Sequence, residues 1–148
     1  MLQKFKKFSQ LSSEEKKLFL EAYVTLGIMR TAILTTSFKR LIRTLEHLPK
    51  KEEVTVVNDN EILTAKKVGE SITGAAAYTP WESACLAQSL TAQKMLQKRG
   101  ITGVFYLGAA KDEESKEKMK AHAWSQCRDT IITGGKGHED FTVLSVFG

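Results

Sequence analysis

Two hydrophobic periods divide this chain. In "SSEEKKLFLEAYVTLGIMRTAI" the apolar positions Leu18, Phe19, Ala22, Tyr23, Leu26, Met29 and Ile33 recur every three or four residues, which is the stripe of an amphipathic helix. Ser12 and Glu15 ahead of it have the spacing of a capping box. "SFKRLIRTLEHL" repeats the pattern with Phe38, Leu41, Ile42, Leu45 and Leu48, with Ser37 placed to cap it and Pro49 to close it. After the charged linker "PKKEE", the stretch "NDNEILTAKKVGESITGAAA" predicts a third helix, interrupted by Gly69 and Gly74. A fourth runs from about Ala84 to Arg99, with Gly100 as its C-terminal stop.

From Ile101 the period shortens. "ITGVFYLGA" is β-branched and aromatic and reads as a strand, and "KDEESKEK" as a solvated charged loop. "MKAHAWSQC" then alternates, with Ala121 and Ala123 on one face and His122, Trp124 and Gln126 on the other. "DTIITGG" returns across a tight Arg128–Asp129 turn, and "FTVLSVF" supplies a last strand. With a two-residue turn, Cys127 faces Thr130 and His122 faces Gly135. Helices first and an antiparallel sheet after them predict an α+β fold in one domain over residues 1–148, with a helical front to residue 50 and the core from 51 onward.

Charge and composition change this picture little. The formal charge of +5 eases approach to acidic partners. The basic residues of "KFKKF" and "FKRLIR" are nevertheless interleaved with helix-core positions and matched by Glu14, Glu15 and Glu21, and no nucleic-acid motif accompanies them. No apolar run looks long enough to span a bilayer, and the N-terminus lacks the apolar block of a secretory signal, so the expectation is a cytoplasmic protein. In that reducing setting Cys85 and Cys127 are expected as free thiols. "TGGKGHE" lacks the strand-to-helix context and Lys-Ser/Thr ending of a phosphate loop. Neither a metal nor a cofactor is indicated, because Cys85, His122 and Cys127 do not form closely spaced ligand pairs.

Candidate chemistry centres on Cys85 and His122. A thiol that opens a helix sits in the positive end of its dipole, which favours thiolate. Position alone is equally met by a small buried hydrophobe. His122 alters that balance: a histidine on a strand, facing a cysteine at a helix start, is the arrangement of a cysteine protease or acyltransferase. Trp81 and Trp124 are amphipathic aromatics that suit a peptide groove or the core. Cys127 reads as packing, and His47 and His138 as solvated residues.

"TPWESACLAQSLTAQKMLQKRGI" followed by "AHAWSQCRDTIITGGKGHEDFTVLSVFG" resembles the transglutaminase-like cysteine peptidases of lasso-peptide biosynthesis. The resemblance implies a papain-like α+β fold with the nucleophile at Cys85 and the base at His122. It implies removal of the leader from a precursor peptide, before a separate macrolactam-forming cyclase acts. It also implies a separate small leader-binding protein as partner. Members are usually described with an orienting acid on the strand after the histidine strand, and "TIITGG" holds none. Asp129, as a turn residue, lies about 20 Å from His122 at about 3.3 Å per residue. Glu139 or Asp140 folding back, Thr133, or a backbone carbonyl are the alternatives for holding the imidazole. A peptide-binding scaffold of the same fold is the competing function.

Overall fold

The computed structural model describes residues 9–37, 40, 58–80, 84–101, 103–111, 119–128, 130–135 and 137–147. The helix expected over 38–48, the linker after it, Trp81, the charged loop at 112–118 and Asp129 lie outside the described residues, apart from Arg40. Arg40 donates its backbone N–H to Ser37 Oγ at 3.4 Å, the bond expected of a cap at Ser37.

Three helices precede a four-stranded antiparallel sheet, an α+β fold. Helix α1 spans Ser13–Thr35 and starts with both arms of the capping box: Glu15 N–H donates to Ser12 Oγ and Ser12 N–H to Glu15 Oε2. Its Leu18, Ala22 and Leu26, four residues apart, are buried against Ile62, Ala65, Val68, Ile72 and Ala75 of helix α2, Asp59–Ala76. Helix α3, Cys85–Lys98, packs on both helices and on the sheet. The expectation that no stretch is long enough to cross a bilayer needs correcting, because α1 meets the test of length with a mean hydropathy of 1.4. Core helices meet the same test, and the buried stripe of α1 is part of this core.

The glycine interruption expected in the third helix is also absent, for a packing reason. Helix α2 runs unbroken through Gly69 and Gly74. A Cβ on Gly69 would stand 2.5 Å from the Ile132 carbonyl oxygen, so glycine here lets a helix lie directly on a strand edge.

The strands are β1 Val104–Lys111, β2 Met119–Cys127, β3 Thr130–Thr133 and β4 Thr142–Phe147, in spatial order β3-β2-β1-β4. Cys127 pairs with Thr130 as the two-residue turn requires, with Arg128 at φ +53°. Beyond that the register slips: Gln126 pairs with Ile131 but Ser125 with Thr133, so Ile132 is the extra residue of a bulge. The ladder ends at Ser125–Thr133, so the pairing of His122 with Gly135 expected from an unbroken ladder is not made.

Candidate active site

Helix α3 is set on the sheet by polar contacts as well as by its buried Ala87, Leu90, Met95 and Leu96. Ser89 Oγ and Thr133 Oγ1 are 3.1 Å apart, and Thr133 Oγ1 is 2.8 Å from Ser125 Oγ, a buried rung across α3, β3 and β2. Gln93 donates Nε2–H to the Gly103 carbonyl at 2.9 Å near the start of β1. One turn back from Ser89 lies Cys85 and two residues back from Ser125 lies Ala123, steps of roughly 6 Å in both cases. The half-buried Cys85 accordingly packs with the cluster of Leu90, Phe105 and Ala123. Among the described residues its helix has no side-chain cap at Ala84 and no acidic residue in its first turn, so the positive end of the dipole is not offset from within the helix.

His122 lies on the alternate face of β2, half-buried in an aromatic layer. Its ring is 5.8 Å from Trp124 and 5.0 Å from Phe141. Trp124 is stacked on Tyr106 at 5.5 Å and 10°, and His138 covers it at 5.6 Å. The decisive polar contact is His122 Nε2 to the Gly134 carbonyl at 2.6 Å. A carbonyl oxygen only accepts, so Nε2 carries the proton, and in the neutral ring Nδ1 is left with a lone pair. The imidazole is thus held as the tautomer in which Nδ1 is the base.

Gly134 makes this contact possible. It sits at φ +74°, and a Cβ there would run into the Ala123 carbonyl and approach Trp124 Cβ to 3.0 Å. Only glycine combines the left-handed backbone with that closeness, and the combination aims its carbonyl at the imidazole. Of the orienting groups left open by the sequence, the structure has the backbone carbonyl in this position. Glu139 and Asp140 are exposed in the short 3-10 turn His138–Asp140, and the Glu139 carboxylate stands 3.6 Å from His138 Nδ1.

Among the described residues no hydrogen bond joins Cys85 to His122. The thiol rests on the helix side of β2 and the imidazole on the aromatic side. Both cysteines are free thiols, and Cys127 is fully buried in the core, where desolvation pushes its thiol pKa up. His138, read from the sequence as solvated, instead lies against Trp124 with its Nδ1 2.6 Å from the Gly135 carbonyl. The signal that would have found it is the glycine-rich turn, which brings residue 138 back over β2. No three His, Cys, Asp or Glu side chains converge on a metal position among the described residues.

A model of the transglutaminase-like superfamily fits residues 29–146, which takes in all four strands and both Cys85 and His122. No curated protein and no solved structure matches the chain.

Proposed function

Because the chain belongs to the transglutaminase-like superfamily, whose members include cysteine proteases and transglutaminases, we propose that it is a cysteine peptidase with Cys85 as nucleophile and His122 as base. The observation that carries this reading is the His122–Gly134 contact, which leaves Nδ1 ready to accept a proton. In the reaction His122 takes the Cys85 proton, and the thiolate adds to the peptide carbonyl. The imidazolium then protonates the leaving amine as the C–N bond breaks, leaving a thioester on Cys85. Water, deprotonated by the imidazole, hydrolyses that thioester and the thiol is restored.

The scheme requires the thiol and the imidazole, which lie on opposite faces of β2, to come within hydrogen-bond reach, a larger rearrangement than the tightening of a long contact. The substrate class we assign is the leader of a ribosomally made precursor peptide, processed in the cytoplasm. The assignment rests on the resemblance of "TPWESACLAQSL" and "AHAW" to lasso-peptide leader peptidases. On the same footing a separate leader-binding protein presents the precursor, and a macrolactam-forming cyclase receives the product.

A second reading, a peptide-binding scaffold, is favoured by the packing of Cys85 in an apolar cluster without a bond to His122. One experiment separates the two. Initial cleavage rate is measured against precursor concentration, with and without the leader-binding protein, for the parent, Cys85→Ala and His122→Ala. The peptidase reading expects His122→Ala to lose about 10²- to 10⁴-fold in rate while staying folded. It expects the partner to help most at low precursor concentration, where tethering raises the effective concentration of the scissile segment. Undiminished cleavage by either variant, or binding of precursor with no cleavage by the parent, overturns it.

A further inference from the structure

Two imidazoles and two consecutive carbonyls meet at one turn. His122 Nε2 is 2.6 Å from the Gly134 carbonyl, and His138 Nδ1 is 2.6 Å from the Gly135 carbonyl. The rings flank Trp124 at 5.8 and 5.6 Å. Left-handed glycines mark the turn, Gly134 at φ +74° and Gly137 at +78°. Such a backbone has many alternatives once its restraints are removed, because glycine populates both signs of φ about equally. The side-chain restraint within the turn is His138, reaching back three residues to Gly135 while its ring rests on Trp124. The backbone adds His138 N–H to the same carbonyl at 3.3 Å, a longer bond.

We infer that His138 is a positioning residue: its Nδ1–H bond to the Gly135 carbonyl and its contact with Trp124 hold the turn so that the Gly134 carbonyl fixes His122 as the Nε2–H tautomer. The consequence for chemistry rests on the peptidase reading above, since only a base at His122 needs a free Nδ1. The coupling itself is a property of the fold. His138 is well placed for this work, because its Nδ1–H is already committed to the Gly135 carbonyl.

The test is the tautomeric state of His122, read from the ¹⁵N shifts of its ring nitrogens at a pH where the imidazole is neutral. Among the described residues, the charged and titratable groups bearing on the turn are His138, the Glu139 carboxylate beside it at 3.6 Å and Tyr106, stacked on Trp124. All are kept in the variants except His138 itself. His138→Phe keeps a ring over Trp124 and removes the donor. His138→Asn puts an amide N–H where Nδ1–H stood and removes the ring.

The parent is expected as the Nε2–H form alone. His138→Phe is expected as a mixture of tautomers, with kcat on the precursor down about 10-fold and KM little changed, and His138→Asn is expected to regain the Nε2–H form. If His138→Phe keeps His122 entirely as the Nε2–H tautomer, the positioning role is wrong. If both variants shift the tautomer alike and melt well below the parent, His138 merely supports the fold and the inference also fails. Should the tautomer respond as expected in a parent that cleaves nothing, the positioning inference stands and the peptidase reading falls.

Discussion

The two faces of β2 are built on different principles. On the helix side, Ala123, Ser125 and Cys127 are buried under α3 among side chains contributed by every helix and by β3. Many side chains share that interface, and each contributes mainly by leaving water. On the aromatic side, His122 and Trp124 are held by a handful of specific contacts: one carbonyl, one stacked tyrosine, one phenylalanine and one histidine. Apolar burial tolerates substitution in kind and degrades gradually. A tautomer selected by a single carbonyl is kept or lost. The face that carries the proposed base is therefore the one with least redundancy.

Gly134→Ala strikes the aromatic side hardest. The variant forces an L side chain into a left-handed backbone, which costs about 1–2 kcal/mol, and drives its Cβ into the Ala123 carbonyl. Adding a typical overpacking cost of about 1–3 kcal/mol, the expected loss is about 2–5 kcal/mol, read by urea denaturation. The turn can relax only by moving the Gly134 carbonyl, so His122 should lose its single tautomer even where the protein stays folded. A variant as stable as the parent, with His122 unchanged, would break the comparison.

The difference between the faces also decided what the sequence revealed. The helix side was legible because burial writes itself into periodicity: Leu18, Ala22 and Leu26 recur at helical spacing, and the buried Ala123 alternates with His122 and Trp124. Strand β2 falls on the segment its alternation marks, and the turn pairs Cys127 with Thr130. The positions of Cys85 at a helix start and His122 in an aromatic layer were legible from the same patterns. What failed to show were backbone events. The bulge at Ile132, beyond which the β2–β3 ladder ends at Ser125–Thr133, leaves no trace in the hydrophobic pattern. A carbonyl as orienting group has no residue type to recognise, and "TIITGG" holds no carboxylate to point to it. His138 was passed over because a histidine after three glycines looks like loop, whereas those glycines fold it onto Trp124.

Gly69→Ala probes the other side at a smaller scale. In an exposed helix the change would stabilise by about 1 kcal/mol through helix propensity. Here the new methyl meets the outward carbonyl of the Ile132 bulge at 2.5 Å, and Ile132 Cγ2 at 3.0 Å, so α2 or β3 must move. A net loss of about 1–2 kcal/mol is expected, with the tautomer of His122 unaffected because the strain is taken up between α2 and β3. Stabilisation by the alanine would mean the edge gives way freely. A change at His122 would mean that the two faces are not independent.

The smallest expected effect comes from an ion pair at the far end of α3. Arg99 donates Nη1–H to Glu21 Oε1 at 3.0 Å and a second bond from Nη2 to Oε2, tying the end of α3 to α1, and Lys98 lies 3.8 Å from the same carboxylate. The Arg99 hydrogen bonds hold the Glu21 carboxyl below its ordinary pKa of 4.5 against the opposing effect of partial burial. A folded-state pKa below the unfolded one means the unfolded chain binds the proton more readily. The pair's contribution is then fully present above the unfolded value and is lost as pH falls through the folded one. Glu21→Gln should lower stability at pH 7 by roughly 1 kcal/mol, the upper end for such pairs, which for a chain this size is a few degrees in Tm. The gap between parent and variant should be constant from pH 7 to about 5, then close as pH falls below about 4.5. Melting curves across that range decide it. A gap that persists at pH 2.5 would assign the effect of Glu21 to packing rather than charge, and a loss of cleavage without loss of Tm would link this remote contact to the aromatic face.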